Sequence, residues 1–274
     1  MSPRPARATP TRRRRIGATF AITLAGIAAV ARGDMAVTTT TPVARVLRCM
    51  QANAPAMLQV GELRIAAEGR DVTTRHLTAR LWVSQEGGVR AHLRVSMPRE
   101  LAESRYLLLD RDPEDELYLF LPSVGKARRL TGVETQSEIA GTSVNLSDLR
   151  TIVQAIKSAS VSLSGATQLQ GRDADVLRFV PSVADSPWRR VLVTVDRTTC
   201  AAVRVEFQDA TGTARLYEAD LAQLRQSGRW WYAQRGVIKD LRRGTTATLD
   251  LLDVSTGAAM RAALFDPKRF YQAE

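Results

Sequence analysis

The stretch ELYLFLPSVGKARRLTG, residues 116–132, decides how this chain folds, and it leads through GTSVNLSD, residues 141–148, into an apolar helical pattern. Residues 117–121 are apolar on both faces of an extended chain. Pro122 has no N–H to give to a ladder, so it ends that strand before a turn that closes at Gly125. The next strand carries Arg128 and Arg129, whose side chains must leave on opposite faces. One arginine therefore points outward and the other toward whatever the sheet encloses.

Outward from this hairpin the period of two dominates. Strand patterns occupy 58–66, 75–84, 89–97, 105–110, 116–121 and 127–131, then 161–168, 175–180, 189–196, 202–208, 214–221, 230–240 and 245–254. Leu77, Ala79, Leu81 and Val83 alternate with polar neighbours, and Leu93 and Val95 alternate with Arg90, His92 and Arg94. Glu86-Gly87-Gly88 and Arg242-Arg243-Gly244 supply hairpin turns. Two helices interrupt the strands. The first, 43–52, has Val43, Val46, Leu47 and Met50 at helical spacing and stops at Pro55; the second, 145–158, starts at Asn145 with Asp148 near its positive end and carries Leu149, Ile152, Val153 and Ile156. The pattern predicts a mainly β (α+β) chain: a strongly curved antiparallel sheet of about eleven strands, one wet face, and a single domain over 43–274 after a linker at 32–42.

The N-terminus reads as a secretory signal peptide over 1–31. Arg4, Arg7 and Arg12 to Arg15 precede an apolar run that closes on Ala29-Val30-Ala31. Its loss would take six arginines and lower the net charge from +11 to +5, so the basic balance largely reflects export. A residual charge of that size, with aromatics at only 5% of the chain, excludes a nucleic-acid interface built on basic stripes and stacked bases. Cys49 and Cys200 would meet an oxidising compartment, where they form either one disulfide or two buried thiols.

No catalytic constellation is present in the sequence. His76 and His92 lie on the polar side of their strands and read as surface histidines, and Asp110, Asp112, Glu114, Asp115 and Glu116 read as a solvated acidic hairpin. There is no nucleophile elbow, phosphate loop or paired-cysteine motif, so neither a cofactor, a metal nor an enzymatic activity is expected. What remains is the apolar inner face, for which the candidates are Leu77, Leu81, Leu93, Val95, Leu119, Val205, Phe207, Trp231 and Leu251. Such a face is covered by helices or by a ligand.

The segment from Cys49 to Asp148 resembles the outer-membrane lipoprotein-sorting protein family of the LolA and LolB superfamily. That family carries a YLYLP segment followed by RRI, then a G-S/T-D-F-S/T-Y-E-D-L segment. Leu117 to Pro122, Arg128-Arg129-Leu130, Gly141-Thr142 and Ser147-Asp148-Leu149 match, and Ser143 to Leu146 depart from it. The resemblance implies an open β-barrel with a helical lid and an apolar cavity that shields acyl chains of lipid or lipoprotein in the periplasm, without catalysis. It implies a monomer with Arg128 or Arg129 at a headgroup, or paired with Asp148 to fix the lid. It also implies an alternative role as a non-enzymatic accessory or sensor of an inner-membrane exporter of the resistance-nodulation-division type or an envelope signalling system.

Overall fold

The computed structural model describes residues 41–69, 72–85, 88–111, 116–131, 134, 139, 142, 144, 159–181, 188–257 and 259–273. The signal segment 1–31, the helix expected at 145–158 and Asp148 lie outside the described residues.

Helix α1, Pro42–Ala52, is set by its sequence at both ends. The Thr41 hydroxyl accepts from Ala44 N–H at 3.3 Å, Pro42 sits where the orphan N–H would be, and Asn53 closes the last turn. Fifteen strands follow: β1 (Met57–Gly69), β2 (Val72–Ser84), β3 (Arg90–Met97), β4 (Arg105–Leu109), β5 (Glu116–Leu121), β6 (Lys126–Leu130), β7 (Ala159–Leu169), β8 (Arg172–Pro181), β9 (Arg190–Asp196), β10 (Ala202–Asp209), β11 (Gly212–Ala219), β12 (Leu224–Ser227), β13 (Trp230–Ala233), β14 (Arg235–Asp240) and β15 (Thr245–Thr256). Thirteen form one antiparallel sheet in the order β6-β5-β4-β3-β2-β1-β15-β14-β11-β10-β9-β8-β7, with β6 and β7 at its ends, while β12 and β13 form a separate hairpin.

Each strand pattern in the sequence corresponds to a strand, but the expected total of about eleven is too low. The segment read as one strand, 230–240, divides at Gln234, whose carbonyl accepts from Leu251 N–H at 2.8 Å. Before that point Trp231 pairs its backbone with the Asn53 amide, at 2.7 and 3.0 Å, so β13 belongs to the end of α1 rather than to the large sheet.

Both faces are covered, unequally. On the inner face Val46 and Met50 of α1 pack on Leu177, Phe179, Val193, Val205 and Phe207, filling the β7–β11 half. The expectation of a wet outer face fails over β2–β6. There Trp82, Leu107 and Leu109 lie under a C-terminal segment, 259–273, that contributes Leu264, Phe265 and Phe270. His92, read from the sequence as a surface histidine, is fully buried there. Alternation cannot reveal a cover supplied by residues far along the chain.

Helix α1 is anchored three times. Cys49 is joined to Cys200 with Cα atoms 5.2 Å apart, Arg45 reaches the buried Asp175 carboxylate at 3.2 Å, and Asn53 holds Trp231. A bridge closing a separation of 151 residues stabilises by about 4–5 kcal/mol in the chain-entropy account. Cys49→Ser should therefore lower urea-unfolding stability by about that amount, and reductant should lower the native protein equally while leaving the variant unchanged.

Candidate functional site

The pairing register places one row of side chains across the inner face. Val254 on β15 stands opposite Val60, Val60 opposite Leu81, Leu81 opposite Leu93, Leu93 opposite Tyr106, Tyr106 opposite Leu119, and Leu119 opposite Arg128. Directly opposed residues share a face, so the row is apolar for six strands and ends in a guanidinium at the sheet edge. Six strand spacings give it a contour of roughly 29 Å.

The register also separates the arginine pair. Arg128 shares the inner face with Leu119, is half exposed and hydrogen-bonds Glu134. That hydrogen bond holds the Glu134 carboxyl below the usual range. Arg129 stands opposite Tyr118 on the outer face, 3.9 Å from Glu116.

Beneath the row lies a small apolar cavity of about 30 Å³, lined by Leu63, Ile65, Leu81, Ala91, Leu93, Tyr106, Leu108, Leu249, Ile139 and Val144. Room on this scale admits about two waters. Ile139 and Val144 belong to a tight turn in which Ile139 N–H donates to the Val144 carbonyl at 2.7 Å and the Thr142 hydroxyl donates to the Ile139 carbonyl at 2.7 Å. All three residues are buried, and Ile139 and Val144 pack into the apolar cluster of β1–β4.

The nine apolar candidates fall into three groups. Leu77, Leu81, Leu93, Val95 and Leu251 are buried in the cluster around the cavity, and Leu119 packs against it. Val205 and Phe207 are in the half filled by α1, and Trp231 packs with Ala201, Val203 and Ala219 at the β12–β13 hairpin. Sequence reasoning missed Leu63, Ile65 and Leu249, although they alternate within recognised strands; the bulge between Val60 and Leu63 shifts the phase. Ile139 and Val144 carried no periodic signal.

Between the two halves, Tyr217 stands opposite Val205 and Ile238. Burial pushes its hydroxyl well above the usual tyrosine range. Gly236 makes space for the ring, because a Cβ there would lie 2.6 Å from Tyr217 Cε2. The inner face is thus apolar over β1–β5, with Lys126 and Arg128 together on its edge strand and a buried Arg215–Asp240 ion pair at 2.8 Å beside Phe207 in the other half. Among the described residues no group of three or more His, Cys, Asp or Glu could hold a metal, and no helix is long and apolar enough to cross a membrane.

Residues 87–271 match the model of a protein family described as "Uncharacterized protein"-like. No curated protein matches the chain. Among solved structures, a DUF1329 family protein from Desulfovibrio piger superposes with a TM-score of 0.72 at 14% identity, over 83% of this chain and 98% of that one. An outer membrane lipoprotein-sorting protein domain from Vibrio parahaemolyticus gives 0.70 at 16% identity, over 81% and 95%. A LolA superfamily protein from Nitrosomonas europaea gives 0.63 at 16% identity, over 82% and 97%. These likenesses establish a LolA-like fold.

The two ends of the site should respond differently to truncation. Leu249→Ala, at 1% exposure, should lower unfolding free energy by about 2–5 kcal/mol. Arg128→Ala should leave the melting temperature unchanged, because both it and its partner Glu134 face solvent.

Proposed function

The chain belongs to the family whose model it matches over residues 87–271, and from its LolA-like fold we propose that it is a periplasmic carrier of acyl chains, borne by a lipid or a lipoprotein. The observation that supports this most strongly is the cross-strand row that stays apolar from Val254 to Leu119 and then ends at Arg128. An amphiphile has the same polarity: a long apolar part and a polar or anionic end. The row's contour is about the roughly 30 Å of a whole bilayer hydrocarbon core, so it exceeds what one leaflet's chain needs.

Shielding matters because each methylene exposed to water costs about 0.8 kcal/mol. A carrier therefore needs an apolar concavity and no reactive group. Pockets that hold small molecules run to roughly 300–1,000 Å³, so a cavity of about 30 Å³ is closed to cargo. Loading requires the turn holding Ile139 and Val144 to leave the inner face. Helix α1 is tied by three anchors, so the opening falls on this turn rather than on α1. Arg128 would then exchange Glu134 for the headgroup, as a charge-assisted contact.

The near-closure of the cavity also favours a second reading, a non-enzymatic accessory or sensor that meets an inner-membrane exporter or signalling protein and carries nothing. Native mass spectrometry of protein purified from envelope extracts separates the two. The carrier reading predicts copurified lipid that Leu93→Asp abolishes, with Arg128→Ala weakening anionic amphiphiles about fivefold. A lipid-free protein that also refuses added fatty acid while crosslinking to a membrane protein in cells would establish the second.

A further inference from the structure

His92 lies between Ala91 and Leu93, two residues that line the cavity, yet its ring points to the opposite face of β3. It is completely buried there, stacked on Trp82 at 5.1 Å and edge-on to Phe270 at 5.7 Å. Among the described residues neither ring nitrogen has a hydrogen-bond partner. Phe270 belongs to the C-terminal segment 259–273, which is held by few polar contacts. Buried Arg105 donates to the carbonyls of Phe270 and Ala273, and Arg90 lies 4.8 Å over the Phe265 ring.

We infer that this C-terminal segment is an acid-sensitive strap: when His92 takes up a proton the strap lifts from the outer face of β2–β5, and β3 loosens its grip on the cavity beneath. An imidazolium at this position would be buried without an acceptor and close to two guanidinium groups. The charged and titratable groups on the surrounding elements are His76 and Arg80 on β2, Arg90 and Arg94 on β3, Glu103 before β4, Arg105 on β4, Glu116 and Tyr118 on β5, Arg129 on β6, and Arg261, Asp266, Lys268, Arg269 and Tyr271 on the strap. Glu103, which precedes β4, is already engaged by Arg94 at 2.7 Å and Arg105 at 3.1 Å.

Burial first, and then the charges of Arg105 and Arg94, lower the His92 pKa from 6.5 to about 3. The neutral ring is thus favoured when the strap is closed, while an open strap leaves an ordinary histidine. Closure is fully stable above pH 6.5 and weakens as the pH falls from there toward 3. Between pH 7.5 and pH 5 the closed-to-open ratio should fall by about 30-fold.

Amide hydrogen exchange across 262–273, corrected for intrinsic rates, reads this directly on the full protein. The native protein should lose protection about 30-fold on going to pH 5, while His92→Phe, or His92→Leu if the larger ring does not fold, should keep it. Equal pH dependence in native and variant proteins, or unchanged native protection at pH 5, overturns the strap.

The cavity arm rests on the carrier reading and uses palmitate bearing a fluorophore. Faster palmitate release at pH 5, cancelled by the His92 variant, supports the coupling. Strap opening with unchanged release overturns the coupling alone. Strap opening with no palmitate bound at any pH overturns the carrier reading and leaves the strap standing.

Discussion

The pairing of β1 with β15 is the constraint on which the rest of the structure depends. It runs from Leu58 opposite Thr256 to Gly69 opposite Thr245, and it joins six strands from the first half of the chain to strands from the second half. Without it there would be two smaller sheets and no continuous inner face. The contact is very distant in sequence, so closing it costs chain entropy that local turns do not. The Cys49–Cys200 bridge links the helix just before β1 to the turn after β9, so it constrains the unfolded chain across the same junction.

A sheet this large has two faces to cover, and the chain covers each half with a different device. Over β7–β11 the inner face receives α1, anchored by a disulfide, an ion pair and an asparagine clip, and that half is filled. Over β1–β4 the described residues that cover it are Ile139 and Val144, and a small void remains beneath them. The β8–β10 end is stiffened by buried carboxylates that are fully answered. Asp196, at 1% exposure, accepts from Arg172 at 2.6 Å and from the Thr199 hydroxyl at 2.8 Å. Burial alone would raise its pKa, but the hydrogen bonds from Arg172 and Thr199 outweigh it and hold the carboxyl below the usual range.

Much of this was legible in the sequence, and the limits have physical causes. Period-two patterns located every strand of the large sheet, because side-chain alternation is a local property. Helix α1 was equally local, marked by the spacing of Val43, Val46, Leu47 and Met50 and by Pro55, although its start at Pro42, capped by Thr41, lay in what read as linker. The arginine pair could be seen but not resolved, since a one-residue change of register exchanges the faces of Arg128 and Arg129. His92 was misread because a polar residue alternating with Leu93 and Ala91 looks solvated unless the covering segment is known. Val205, Phe207 and Trp231 have the same local pattern as Leu81 and Leu93, and only tertiary packing separates a half filled by a helix from a half that keeps a cavity. Ile139 and Val144 sit in a turn, where burial follows from position and leaves no periodic trace.

The central claim is that an acyl chain lies along the inner-face row with its polar end toward Arg128. Photo-crosslinking with a fatty acid carrying a diazirine near its terminal methyl group, followed by peptide mapping, tests it most directly. The account predicts adducts on inner-face residues of β1–β3 such as Val60, Leu81 and Leu93, and a shift of adducts toward Leu119 when the diazirine is moved next to the carboxylate. Adducts confined to the outer face, or an unchanged pattern when the diazirine is moved, would contradict it.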